Sequence, residues 1–233
     1  MKLSIYLIIA ILVLSFTACD HKDETGTTSI TGTNTISGKV SNYSSDKIDS
    51  IGAIDYAMLG SSKISTSSDF SLSLKLPQLR RIGTQPGITV SDSTALIGNV
   101  YICTFKYGKN SGELKRCNFI SDSTFYVGMA YSSFIYCDRS ITVKGTEITD
   151  KSNSIYTHKE SLNYNFRLVK GWNELIIKVE SYTNSSKSYV VVYSMTNTIP
   201  SNLKWYSFED SYYGVKGKVK HKTSILYKAK LFE

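Results

Sequence analysis

Polar and apolar residues alternate along much of the chain. Thr35-Ile36-Ser37-Gly38-Lys39-Val40 does so, as do Phe70-Ser71-Leu72-Ser73-Leu74-Lys75-Leu76 and residues 162–169. A period of two puts successive side chains on opposite faces of an extended strand, so these stretches predict half-buried β-strands. Further strand-like runs fall at residues 48–58, 63–66, 95–107, 113–120, 123–131, 133–137, 140–145, 175–179, 189–193 and 200–206, separated by turn clusters such as Ser44 to Asp46, Gly60-Ser61-Ser62 and Gly108 to Gly112. Residues 78–93, with Arg80-Arg81, Gly83, Pro86 and Gly87, read as a connection or a short irregular turn of helix, and residues 151–160, with Asn153 and His158, as a polar loop. The pattern predicts an all-β fold, an antiparallel β-sandwich built as one unit or as two packed β subdomains. The boundary is placed between a small sandwich-like region, 34–90, and a larger antiparallel region, 91–233.

The first 33 residues follow a different pattern. Met1-Lys2 is followed by an apolar run from Leu3 to Phe16, then Thr17-Ala18-Cys19. A basic start, a short apolar core and small residues before a cut describe a secretory signal peptide over 1–18. The run is shorter than the roughly 20 residues of a spanning helix, and charges follow it directly. Ser15-Phe16-Thr17-Ala18-Cys19 resembles the lipobox of bacterial lipoproteins, with Phe16 where that family usually has Leu. The resemblance implies lipidation of Cys19 and anchoring by several acyl chains, since one chain binds membranes only marginally. Lys22-Asp23-Glu24 resembles the export signal that follows the lipidated cysteine in surface lipoproteins of Bacteroidetes-type bacteria. It implies an outer-membrane, cell-surface address. Asp20, read by the retention rule of other bacteria, implies a periplasmic-facing one. Residues 19–33 carry the lipidated cysteine and a Gly/Ser/Thr tether with no apolar face.

Two internal resemblances follow. Ser37 to Val40 together with Asp69 to Pro77 resembles the opening and closing strands of transthyretin-like, carboxypeptidase-regulatory sandwich modules, which are mostly non-catalytic. Lys170-Gly171-Trp172-Asn173 before an apolar strand, and Leu203-Lys204-Trp205-Tyr206, are similar to pieces of uncharacterised Bacteroidetes-type lipoproteins, where the first is a turn into a core strand.

Composition adds little to this picture. Seventeen Tyr and nine Phe favour strands. A formal net charge of +8 favours contact with anionic lipid or polysaccharide. No nucleic-acid-binding motif is present, and the address is outside the cell. With Cys19 assigned to lipid, three cysteines remain. If the hairpin at Gly108 to Gly112 is centred on Asn110, Cys103 and Cys117 oppose each other closely enough for a disulfide; two buried free thiols are the alternative. Cys137 reads as a buried small hydrophobe.

The search for chemistry leaves no catalytic residue named. His21, His158 and His221 have no metal-ligand spacing, so no metal and no cofactor are expected. Gly-x-Ser-x-Gly is absent. Carboxylate pairs for glycoside hydrolysis could be drawn from Glu147, Asp150, Glu160, Glu174, Glu180, Glu209 and Asp210, as chance alone allows. Trp172, Trp205, Tyr206, Tyr212 and Tyr213 could stack on sugar rings if exposed; the two Trp are more simply core residues. Lys216, Lys218, Lys220 and Lys222 fall on one face of a strand, either as a basic contact stripe or as an edge guarded against pairing. The reading is a membrane-anchored surface lipoprotein serving as a non-catalytic binding or structural module, with a glycan or another surface protein as partner. The alternatives are a glycan-capture lipoprotein, a hydrolase gathering His158 or His221 with acidic residues, and a pilus or adhesion subunit processed at Arg80-Arg81.

Overall fold

The computed structural model describes residues 33–120 and 125–209. Those residues are all-β. In chain order the strands are β1 (Thr35–Lys39), β2 (Ser50–Ile54), β3 (Met58–Lys63), β4 (Asp69–Ser73), β5 (Arg80–Arg81), β6 (Ile88–Val90) and β7 (Leu96–Lys106), followed by β8 (Lys109–Cys117), β9 (Ala130–Cys137), β10 (Ile141–Asp150), β11 (Thr157–Leu168), β12 (Gly171–Ser185), β13 (Ser188–Thr196) and β14 (Lys204–Glu209). Cys19, Lys22, Asp23, Glu24, Tyr212, Tyr213, Lys216, Lys218, Lys220 and Lys222 lie outside the described residues.

The main sheet runs β3-β2-β7-β8-β9-β12-β13-β11-β10-β6, with a direct β7–β9 pairing as well. It cannot be flat. From β9 to β10 the order crosses four strand spacings, about 19 Å in a flat sheet. The chain makes that passage from Cys137 to Ile141, which reaches at most about 14 Å. From β6 to β7 a flat path through β9 is about 29 Å, yet Val90 to Leu96 reaches only about 21 Å. The sheet therefore curls until β10 and β11 face β9 and β12, giving a sandwich made from one folded sheet. Ile97, Ile135, Leu175 and Ile177 from one half and Ile141, Val143, Phe166 and Leu168 from the other share its core.

The two short links are clipped together. Arg139 donates to Asp138 (2.8 Å) and Asp92 (3.2 Å). Asp138 also accepts from the Leu96 N–H at 2.8 Å. Where β13 ends, Asn173, fully buried, spans the gap between β11 and β12. Its Nδ2 donates to the carbonyls of Val169 and Gly171 (both 2.9 Å), and its Oδ1 accepts from the Val169 N–H (2.8 Å). Gly171, at φ 103°, makes the turn itself, in the backbone region that favours glycine.

The opposite face of β7, β9 and β12 supports a second core, covered by the two-stranded β1–β4 ribbon. Trp205 locks the ribbon in place. Its ring stacks on Phe134 (5.8 Å, 11°) and meets Phe70 edge-on (5.2 Å, 84°). It lies where a Cβ on Gly38 would stand 2.4 Å from the indole, so only glycine fits there. Between β8 and β9 the sheet forks, the two strands meeting at Cys117 and Tyr131. Across the fork, Arg116 Nη1 donates to both Glu174 oxygens (2.8 and 2.9 Å), and Ser132 Oγ donates to Glu174 Oε1 (2.5 Å). Arg116 is 7% exposed and Glu174 1%.

The expected division at 90/91 is not a break in the sheet: β2 and β5 pair with β7, and β6 pairs with β10, so hydrogen bonds cross it three times. The two subdomains are instead two cores on opposite faces of shared strands. Residues 78–93 are largely the expected connection, without a helical turn, but carry two short strands, β5 and β6, and Arg80-Arg81 is held in the sheet, with Arg80 Nη2 donating to Asn99 at 3.0 Å. The expected loop at 151–160 gives way to β11 from Thr157 onward.

Two tests follow from these contacts. Arg116→Met should destabilise by about 3–5 kcal/mol, because it strands a buried carboxylate, whereas Arg116→Met with Glu174→Met should be close to neutral; urea unfolding measures both. Asp138 has its pKa lowered chiefly by the Arg139 hydrogen bond. Its contribution is present above the usual aspartate value of about 3.9 and is lost as pH falls through its depressed folded value. Asp138→Asn should therefore lower Tm at neutral pH, with the gap to wild type closing on acidification.

Candidate functional site

β12 carries an irregularity between Val179 and Ser181. Before it, Leu175, Ile177 and Val179 face the inner core. After it, Tyr182 opposes Val191 and Asn184 opposes Tyr189, so even-numbered residues turn to that same face. On β11, His158 and Glu160 stand in register with Tyr189 and Val191 of the parallel strand β13. The loop that returns to β9 is held beside β12 by Gly128 N–H to Val179 O (2.8 Å) and Val179 N–H to Met129 O (2.9 Å). This brings Phe125 over the same end.

The result is a continuous row of rings at one end of the curled sheet. Tyr156 lies 6.5 Å from His158, and His158 stacks on Tyr189 (4.9 Å, 17°). Tyr189 meets Tyr182 edge-on (5.9 Å, 76°), and Tyr182 meets Phe125 (4.6 Å, 69°). All five are half-buried. Below them Tyr193, 6% exposed, closes the core. His158 Nε2 lies 3.4 Å from Glu160 Oε1.

The polar groups at this end are phenols, one imidazole and the Glu160 carboxylate. Burial, and then the Glu160 charge, push the Tyr189 phenol up. Tyr193 is pushed further by burial, by its neighbours' charges and by donating to the Tyr189 oxygen. Both stay protonated and offer hydroxyls. The Ser152 hydroxyl lies against the His158 backbone, accepting from its N–H at 3.0 Å, rather than against the imidazole. Along the same face Tyr164 donates to Glu147 Oε2 at 2.7 Å; burial, and then this contact, push its phenol up. Among the described residues no group of three or more His, Cys, Asp and Glu could hold a metal ion, and no helix is long and apolar enough to cross a membrane. A shallow hollow elsewhere is lined by Asn42, Ser44, Lys47, Ile48, Ser111, Ser207 and Glu209, and offers no ring face.

Trp172 and Trp205 cannot stack on a ligand as they stand. They are 1% and 2% exposed and belong to the second core. Tyr206 packs partly buried against the first. Cys103 and Cys117 are not opposed. The hairpin turns at Tyr107-Gly108, both at positive φ (50° and 73°), so Cys103 faces Glu113 while Cys117 faces Lys204 and Tyr131. A two-residue turn, rather than a loop centred on Asn110, moves the register by five positions, and the bulge between Thr104 and Phe105 takes one back, so the partner of Cys103 is Glu113. Cys103, Cys117 and Cys137 are buried, and no disulfide joins them among the described residues. Tyr182, Tyr189 and Phe125 carried no signal beyond being aromatic, and His158 was assigned to a loop.

In a thiol titration with Ellman's reagent, these three cysteines should react only once urea unfolds the chain, and intact mass without reductant should correspond to three free thiols. Burial also raises the Cys137 thiol, which slows it further. No protein-family model, curated protein or solved structure matches this chain.

Proposed function

We propose that this chain is a surface lipoprotein, anchored to the outer membrane through acylated Cys19, whose β-sandwich is a non-catalytic binding module. The observation that carries this reading is the separation of its two ends. The tether of residues 19–33 leads into β1, whose Ile36 shares a core with Trp172. Tyr182 lies ten residues beyond Trp172 on β12, about 30 Å away at strand rise. The half-buried ring row thus lies at the opposite end of β12 from the core that β1 joins, and a module held by its first strand would present that end to a ligand.

The surroundings of His158 favour binding over hydrolysis: its ring meets Tyr189 and the Glu160 carboxylate, while the neighbouring serine hydroxyl faces backbone. Processing at Arg80-Arg81 is disfavoured because those residues are paired with β7. Lys22, Asp23 and Glu24 direct the anchored protein to the outer face, and the lysines at 216, 218, 220 and 222 add attraction to anionic surface polymer.

In intact cells the wild type should incorporate an alkyne fatty acid and be cut by added protease. Cys19→Ala should lose the label and leave the membrane fraction, and replacing Lys22-Asp23-Glu24 by alanines should keep the label but protect the protein from shaving. A wild type that resists shaving would sink the surface address.

A further inference from the structure

We infer that the turn between β2 and β3, with the segment that follows β4, is a membrane-contact face: Tyr56, Met58 and Leu76 enter the surface of the bilayer that holds the acyl chains of Cys19. This rests on the anchored-lipoprotein reading above and adds how the folded part is set on its membrane. The three side chains are 78%, 46% and 59% exposed. Large apolar side chains exposed singly need no explanation, but several gathered at one place mark contact with a partner or a membrane. Two hydrogen bonds gather them here. The Lys75 N–H donates to the Leu59 carbonyl (2.8 Å), and the Gln78 N–H donates to Asp55 Oδ2 (3.1 Å). Residues 75–78 are thereby fastened antiparallel along residues 55–59. Leu76 on one segment and Tyr56 and Met58 on the other fall between the two fastenings, at one corner of the fold. Met58 is laid back over β2, where a Cβ on Gly52 would stand 2.7 Å from its sulfur, so glycine leaves the room it takes.

The point where the tether joins the fold identifies what covers this corner. The Leu74 N–H donates to the Asn34 carbonyl at 2.7 Å, so the tether meets β1 beside Leu74. Leu76 lies two residues further on, about 7 Å at strand rise. The fourteen residues from Asp20 to Thr33 span at most about 50 Å. Confined within that reach of the bilayer, the corner is present at roughly millimolar effective concentration. A contact too weak to recruit a free protein is populated under that confinement. Two charges stand at the corner. Lys75, exposed beside Leu76, carries an ammonium on an apolar stem and suits lipid phosphates. Asp55 turns one oxygen inward to the Gln78 N–H. Ile155, 82% exposed next to Tyr156 at the ring-row end, supplies a comparison: it is apolar and open but far from the tether.

The test is photocrosslinking of the full chain in washed cell membranes, with p-benzoylphenylalanine placed in turn at Tyr56, Leu76 and Ile155. Positions 56 and 76 should give phospholipid adducts, read by mass spectrometry, at a yield about fivefold or more above position 155. That yield should persist at about 0.5 M salt, which screens attraction by the lysines at 216, 218, 220 and 222. In the wild type, reconstituted into vesicles of phosphatidylethanolamine and phosphatidylglycerol, amide exchange over residues 55–59 and 74–78 should be slow. Tyr56→Glu with Leu76→Glu should keep the alkyne label and restore fast exchange there. Circular dichroism identifies a double variant that fails to fold, and the crosslinks at single exposed positions do not depend on it. Adducts at 56 and 76 no more frequent than at 155, or adducts mainly to a second copy of the chain or to another protein, would overturn the inference. A labelled, membrane-bound chain without lipid adducts sinks this face and leaves the anchor standing. A chain that carries no label, yet gives adducts at 56 and 76 when the vesicles are added, keeps the face as a lipid contact and sinks the anchor.

Discussion

Everything in this fold depends on one constraint: the links after β9 and before β7 are too short for the distances they span in a flat sheet. Three residues separate β9 from β10, although β12, β13 and β11 lie between them in the sheet. The sheet has to fold over, and the inner face of every strand from β9 to β10 is thereby turned toward a common core. The clip formed by Arg139, Asp138 and Asp92 sits on those two links. Its members are partly exposed, so its direct energy is modest. Its effect is geometric: it holds together the two links that make the passage.

Once the sheet has folded, its central strands are buried on both faces. On β12, Trp172 to Ile177 is an unbroken buried run, whereas β11, covered on one side, alternates from Leu162 to Leu168. That is the physical meaning of the two subdomains: two cores back to back on shared strands rather than two units joined by a linker. The same burial explains why a charge pair can lie inside. Arg116 and Glu174 meet where β8 has diverged from β9, in a gap that backbone pairing no longer fills. Two hydrogen bonds from the one Arg116 Nη1 plus the Ser132 hydroxyl satisfy the carboxylate and offset part of its desolvation.

How much was legible in the sequence follows from how local each signal is. Strand alternation at β1, β4 and β11 is a property of single segments and reads directly. The turn into β12 at Gly171 came with the resemblance of Lys170-Gly171-Trp172-Asn173, and the bracing role of Asn173 needs the end of β13 beside it. Register is not local in this way. One turn placed at Tyr107-Gly108 instead of around Asn110 separates Cys103 from Cys117. The shared face of Val179 and Tyr182 was hidden for a related reason: strict alternation puts residues three apart on opposite faces, and only the irregularity at 179–181 brings them together. The pairing of β11 with β13 is parallel and joins residues 31 apart, so no short-range pattern announces that His158 meets Tyr189.

The ring row also has a structural reason to exist. Beyond Val179 the long strands β11, β12 and β13 run on to Thr157, Ser185 and Ser188, and the partly buried Phe125, from the loop before β9, lies over Tyr182 and Tyr193. A half-covered core end suits side chains with an apolar body and a polar tip, and Tyr and His provide both. Closing the core and presenting a surface therefore make the same demand on the same residues. At Tyr189 both ends are engaged: its ring stacks on His158 and its oxygen accepts from buried Tyr193. Because the β1–β4 ribbon and Trp205 belong to the other core, changes at the row can leave that second core intact.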